Sequence, residues 1–310
     1  MGKSLKIGTR GSPLALIQAH QVRERLQAAH DGLEVEVVVI RTTGDKVQDR
    51  TLAEIGGKGL FTKEIEEALL AGKIHLAVHS AKDMPTQLPD GLILSAFLER
   101  EDPRDVLITR GGVSLKDLRQ GAVIGTSSLR RKAQMLARRP DCSVIDFRGN
   151  VDTRLGKIRD GMCDATLLAL AGLKRLGKDI SGFSILPVKD MLPASAQGAI
   201  CIESRAEDIA ANERIAALDH RETRIAVTAE RALLAALDGS CRTPIAALAT
   251  LKGETLFMTS ALFSPDGTDQ FHAADAGPKN DPAALGARLG RDLRQAAGPE
   301  FYARLMAVFD

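Results

Sequence analysis

Two periods of apolar residues alternate along the first two thirds of the chain. Short aliphatic or β-branched runs at 5–9 (LKIGT), 33–42 (LEVEVVVIRT), 73–80 (KIHLAVHS) and 92–98 (LILSAFL) predict strands. Between them, 12–29 and 59–72 carry apolar positions at helical spacing. A charged, proline-containing break at 100–105 (REDPRD) predicts a linker. A second set then begins, with strands at 105–109, 122–126, 143–148 and 183–188, helices at 128–139 and 151–161, and a strand running into a helix over 165–177. A Pro/Ala/Ser-rich passage, 192–204, leads into one more strand. The alternation predicts an α/β fold in two similar-sized, doubly wound units with mostly parallel sheets.

The last third differs. A helix at 223–239 is expected to stop at Gly239, and two or three short strands follow over 245–267, with turns at Lys252-Gly253 and Pro265-Asp266-Gly267. A closing helix at 281–297 is capped by Asp281, with Pro282 at its first position. This pattern predicts a small C-terminal α+β domain.

Bulk composition narrows the functional classes. At 310 residues the chain is long enough for two or three domains of ~100–150 residues. A formal charge of +2, no tryptophan and a single tyrosine argue against a nucleic-acid-binding surface. No apolar run approaches the ~18 residues of a membrane span, and the first residues have no secretory pattern. A cytoplasmic protein without membrane or nucleic-acid partners is expected. The four cysteines show neither CxxC pairing nor metal-like spacing with histidines. Cys163 and Cys201 read as core thiols and Cys142 as a loop residue. Cys241 stands apart, in the polar loop LDGSCRTPIA beside Arg242, where a thiolate is favoured. His75 and His79 are expected to face sheet packing, and His220 to lie on a helix surface.

Four strand-to-helix junctions carry cations where the helix dipole disfavours them: Arg10 before Ser12-Pro13; Lys58 in GGKG; Arg130 and Arg131 after a cap at Ser127 or Ser128; and Arg148 with Arg154 around Gly149-Asn150. Each such cation costs roughly 0.3–1 kcal/mol against the dipole. Free N–H groups at these ends already attract anions, and arginine adds bidentate carboxylate geometry. The four together point to a ligand bearing several negative groups. None matches a phosphate loop or a dinucleotide fingerprint. At a fifth strand end, VHSAKDMP, Lys82 and Asp83 leave the strand together. A carboxylate there, among cations, could stabilise a developing cation and exchange protons with a nitrogen.

The segments TRGSPLAL, TTGDK, GGKGLFTKEIE, AVHSAKDMP, EREDPRD, GTSSLRR, RGNVDTRL, LAGLKRLG, QGAICIE, TAERALL and GSCRTPI together resemble the porphobilinogen deaminase (hydroxymethylbilane synthase) family over nearly the whole chain. The resemblance implies a transferase that joins four porphobilinogen units head to tail, releases ammonia at each step, and hydrolyses off hydroxymethylbilane. It implies a dipyrromethane cofactor bound as a thioether to Cys241, and a monomer. Asp83 matches the catalytic aspartate. It would assist protonation of the leaving amine, stabilise the azafulvene-like cation and help remove the proton from the carbon where the new bond forms. Each pyrrole carries an acetate and a propionate. By motif, Arg10, Ser12, Lys58, Ser80, Lys82, Thr126, Ser128, Arg130, Arg131, Arg148, Arg154, Arg175 and Gln197 would bind cofactor or substrate.

The fold implied is bilobal, like periplasmic binding proteins, with the site in the cleft and a third small domain. The expected boundaries are 1–99 with 199–217, then 103–194, then 221–310. The loop 42–58 is the candidate cover for the cleft. Ser240, Arg242, Ala196 and Glu54 depart from the family pattern. Two other readings compete. A non-catalytic bilobal binder of small carboxylates would leave Cys241 and its domain without a role. A cysteine-nucleophile hydrolase needs a positioned histidine that no motif supplies.

Overall fold

The computed structural model describes residues 4–46, 61–239 and 243–307. These fall into two compact units, one of 4–46, 61–101 and 198–224, the other of 102–197, 225–239 and 243–307. Lys58, Glu54, most of the 42–58 loop, Ser240, Cys241 and Arg242 lie outside the described residues.

The first unit is built on β1 (Ser4–Thr9), β2 (Glu34–Val39), β3 (Leu76–Ser80) and β4 (Leu92–Phe97), with β10 (Ile200–Arg205) inserted in the order β2-β1-β3-β10-β4. β1 is parallel to β2 and β3, whereas β10 is antiparallel to both β3 and β4. Alternation along the strands sends Leu5, Ile7, Leu76, Val78, Ile200 and Ile202 to one face, where helix α1 (Pro13–Ala29) covers them with Ala19, Val22 and Leu26. Ala77 and its neighbours face the other way, onto Ile65 and Leu69 of a later helix, Lys63–Leu70. TTGDK, read as loop, contains one helical turn, α2 (Thr43–Lys46), tied by Thr43 N–H to Glu64 Oε1 at 2.8 Å. The helix Lys63–Leu70 is α3.

The second unit repeats this plan. Its sheet runs β7 (Ser143–Ile145), β6 (Val123–Gly125), β8 (Ala165–Ala169), β5 (Asp105–Thr109), β9 (Ser184–Ile185). Again the parallel strands β6, β7 and β8 adjoin an antiparallel strand, here β5. Helices α4 (Leu129–Arg138), α5 (Val151–Arg159) and α6 (Leu170–Arg175) follow β6, β7 and β8 in turn. Cys142 lies just before β7 but is buried with Leu107, Ile124 and Met135, so it belongs to the core. Cys163 and Cys201 are buried as well.

Helices α7 (Ile209–Ile215) and α8 (Arg221–Ala236) precede an antiparallel sheet of β11 (Ile245–Lys252), β12 (Thr255–Phe263) and β13 (Gln270–Pro278). Helix α9 (Pro282–Ala307) closes the chain. α8 and α9 bury Leu233, Leu237, Leu289 and Leu293 against this sheet. The left-handed residue that ends α8 is Asp238 (φ 51), not Gly239. Gly239 is needed for space instead, since a Cβ there would meet Ile245 Cδ1 at 2.6 Å. His220 precedes α8 and accepts from Thr223 N–H through Nδ1, a capping role rather than a surface one. α9 continues past 297 because Gly298 (φ 72) breaks the helix and Pro299 restarts it, which brings Phe301 and Leu305 into the core.

At the edge of the first unit, Glu101 N–H donates to the Gly198 carbonyl. Gly198 has φ 92, and a Cβ there would sit 2.3 Å from the Glu101 carbonyl oxygen. Gly198→Ala therefore combines a strained backbone with a backbone clash. It should cost at least about 2 kcal/mol, read as a lower urea midpoint with an unchanged slope. Two residues earlier, Ala196 holds φ 59, a conformation that glycine adopts without strain.

Candidate active site

Ligands in open α/β sheets bind beyond the carboxyl ends of the strands, where neighbouring strands lead off to opposite sides. Both sheets have such a point, between β1 and β3 in one and around β6 in the other. Arg10 follows β1, Asp83 follows β3, Arg130 and Arg131 follow β6, and Arg148 follows β7.

In the first unit, β1 hands the chain to Arg10, whose guanidinium stacks 4.1 Å from the Phe61 ring centroid. Ser12 caps α1 by accepting from Ala15 N–H at 3.4 Å. β3 ends at Ser80, hydrogen-bonded to Gln18 Nε2 at 2.9 Å, and passes into a 3-10 turn, Ala81–Asp83. Ala81 is buried and anchored by its N–H to the Ala199 carbonyl, Lys82 is half-buried and Asp83 is exposed. The anchored turn thus presents one carboxylate outward from a rigid strand end.

In the second unit, Ser128 caps α4, accepting from Arg131 N–H at 3.5 Å, and Thr126 Oγ1 accepts from Ser128 N–H at 3.2 Å. Arg130 and Arg131 therefore lie in the first turn of α4 and point inward, 5% and 6% exposed. Between them sits Asp105, 0% exposed. Arg130 Nη2 donates to its Oδ2 at 2.7 Å, and Arg131 Nη2 to its Oδ1 at 2.8 Å. Gln197 Nε2 adds a bond to the same Oδ1 at 3.0 Å and another to the Pro103 carbonyl at 2.7 Å. Burial alone would push the Asp105 carboxyl up; the two guanidiniums outweigh it and hold the group well below the usual carboxylate range. Three residues expected as ligand contacts, Arg130, Arg131 and Gln197, are thus organised by an internal acid that stands at the last position of the expected linker and the first of the expected strand 105–109. The available signal was its position: an acid directly before the wholly apolar run VLI requires a buried cation, and LRR offers two.

Arg148 and Arg154 flank Asn150, which caps α5 by accepting from Thr153 N–H at 2.9 Å. Arg154 Nε donates to the Gly149 carbonyl. Burial, followed by the neighbouring charges of Arg131 and Arg148, pulls the Arg154 guanidinium down to about 10. Arg175, half-buried, occupies the last turn of α6, where the dipole favours a cation. No group of histidine, cysteine or acidic side chains suited to a metal occurs among the described residues. No described helix is long and apolar enough to cross a membrane.

The family model described as "Porphobilinogen deaminase, dipyromethane cofactor binding domain" matches residues 5–213, and "Porphobilinogen deaminase, C-terminal domain" matches 224–295. The chain belongs to the porphobilinogen deaminase family. A porphobilinogen deaminase of Paracoccus denitrificans is 52% identical over 301 residues, covering 96% of each chain. One of Nitrobacter winogradskyi is 54% identical over 298 residues, covering 96% of this chain and 94% of its own. A solved structure of a putative methionine-binding lipoprotein from Bacillus subtilis overlays with a TM-score of 0.44 at 12% identity, covering 71% of this chain and 92% of that one. The relatives are matched across the C-terminal domain as well, the part that a simple carboxylate carrier leaves unexplained. Porphobilinogen deaminases are transferases of porphyrin biosynthesis, and the deaminase domain matched here is named for its dipyrromethane cofactor.

Proposed function

We propose that this chain joins four porphobilinogen units head to tail with release of ammonia and then frees hydroxymethylbilane by hydrolysis, using Asp83 as its catalytic carboxylate and Cys241 as the attachment point of dipyrromethane. The observation that carries the reading is the crowding of Arg131, Arg148 and Arg154. Burial first, and then the charges of Arg131 and Arg148, lower the basicity of Arg154, and a half-buried guanidinium beside two others favours a polyanion as its partner. A chain of pyrroles bearing acetate and propionate groups is such a polyanion. Dipyrromethane, with the same substituents, fits the same donors.

Bound through Cys241, the cofactor supplies the pyrrole end at which the chain grows. Arg131, Arg148 and Arg154 hold carboxylates by charge-assisted bonds, and Arg175 and Arg130 reinforce the local potential. Thr126 and Ser128 add hydroxyl contacts, and Gln197 acts by fixing Asp105. Arg10, Ser12, Ser80, Lys58 and Lys82 do the corresponding work around Asp83. Asp83 gives a proton to the departing amine nitrogen and then, ionised, stabilises the cation left on the substrate carbon. We assign the domains as 1–99 with 199–217, 103–194 and 221–310, and the enzyme as a cytoplasmic monomer.

Intact mass spectrometry of the purified, denatured protein beside Cys241→Ser tests the attachment. The wild type should exceed its sequence mass by one dipyrromethane and the variant should not. A wild type that stays at the bare chain mass after incubation with porphobilinogen or preformed hydroxymethylbilane would overturn the reading.

A further inference from the structure

The layer between α3 and the sheet of the first unit is largely apolar, but three buried acid–base side chains enter it. Ile65, Leu69, Ile74, Ala77 and Leu92 form it. Glu66 enters from α3, His79 from β3 and Glu203 from β10, all buried, Glu203 completely. His79 Nε2 donates to Glu203 Oε2 at 3.1 Å. Two other titratable side chains lie on that face of β10: Cys201 points its Sγ at the His79 carbonyl, 3.8 Å away, and Arg205, ion-paired with Asp208, donates through Nη1 to the Leu69 and Ile74 carbonyls. Two carboxylate oxygens are left over. Glu66 Oε1 and Glu203 Oε1 are both buried without a hydrogen-bond partner.

Two ionised carboxylates beside a single imidazole would leave uncompensated charge in a dry core, with two orphaned acceptors. One proton removes both difficulties, because a carboxylic acid donates where a carboxylate only accepts. We propose that Glu66 and Glu203 share one proton in the native enzyme, and that the resulting Glu66–Glu203–His79 network is a positioning device for Asp83. Burial, and then the Glu203 charge, push the Glu66 carboxyl up; Thr62 and His79 oppose this and lose. The link to Asp83 is short. His79 pairs with Cys201 and Ser80 with Ile200 in the β3–β10 ladder, and the next residues are the turn that carries Asp83. A strand end that slips by ~1 Å can cost about 10²-fold in rate. The positioning role rests on the deaminase reading; the shared proton does not.

Infrared spectra of the holoenzyme at pH 7 test the proton directly. The wild type should show a protonated-carboxyl C=O band that is missing in Glu66→Gln. Stability gives the same answer by another route. A carboxyl raised above its ordinary 4.5 contributes fully below that value and loses its contribution as pH climbs through the folded one. The wild type should therefore lose stability relative to Glu66→Gln as pH rises above 4.5. Identical spectra, or a constant stability gap across pH, would overturn the shared proton whatever the enzyme does. If a variant expresses poorly, titrating the band in the wild type alone decides the point.

Kinetics test the positioning. Glu66→Gln, whose amide can donate in place of the acid, should keep kcat within about threefold, whereas Glu66→Leu should lose about tenfold or more in kcat with KM nearly unchanged. Equal losses in the two variants, or losses expressed in KM, would overturn it.

Discussion

Replacing Asp83 by asparagine should lower kcat by roughly 10²–10³-fold, the usual worth of a single group that stabilises developing charge. The fold should not notice. Asp83 is exposed, and its turn is held by backbone bonds from Ala81 and Met84 rather than by the carboxylate. Stability is expected within about 0.5 kcal/mol of the parent. KM for porphobilinogen should also change little, because the cationic groups proposed to bind its carboxylates are untouched. Asp83→Glu is the sharper variant. It keeps the charge but moves it by a methylene on a rigid strand end, and misplacement by ~1 Å can cost 10²-fold. Both variants can be read by ammonia release under saturating substrate, with urea unfolding as the control. An asparagine variant with more than a tenth of the parental kcat would remove Asp83 from the catalytic role and leave the cationic junctions as a binding site alone.

Much of this site was legible in the sequence, for a physical reason. A cation at a helix N-terminus works against the dipole, so a series of them records a force from outside the helix. Arg131, Arg148 and Arg154 are found where that argument placed them. The central strands β3, β5, β8 and β10 were visible because they are buried nearly throughout and carry mostly apolar runs. The misses have causes too. β13 (QFHAADAGP) has little β-branched content and is half exposed as an edge strand, so its alternation is faint. α9 was cut short at Gly298-Pro299, which ends one helical segment but also begins another. Asp105 was hidden by its neighbours. In REDPRD it reads as the last charge of a linker leading into a strand, and only the tertiary approach of α4 sets it between two arginines.

That position makes Asp105 the most exposed point of the fold to mutation. Asp105→Asn would keep the shape and remove the charge that two buried guanidiniums share. Breaking a buried pair from one side typically costs about 3–5 kcal/mol, because the remaining charges stay desolvated without compensation. Here two cations are stranded, and Gln197 loses its acceptor as well. The pH dependence separates this cause from simple misfolding. The Asp105 carboxyl is held below its ordinary 3.8, so its contribution is complete above that value and disappears as pH falls through the folded one. Wild type and Asp105→Asn should therefore differ most near neutrality, and their urea midpoints should converge as pH drops below 3.8. A gap that persists unchanged in acid would mean that the asparagine harms packing rather than charge. Because Asp105 also fixes the Arg131 fork beside Arg148 and Arg154, variant that folds should bind porphobilinogen more weakly, with KM rising before kcat falls. In this protein the acid that stabilises the second unit and the arginines proposed to hold substrate are parts of one hydrogen-bonded structure, so stability and binding should fail together there and separately at Asp83.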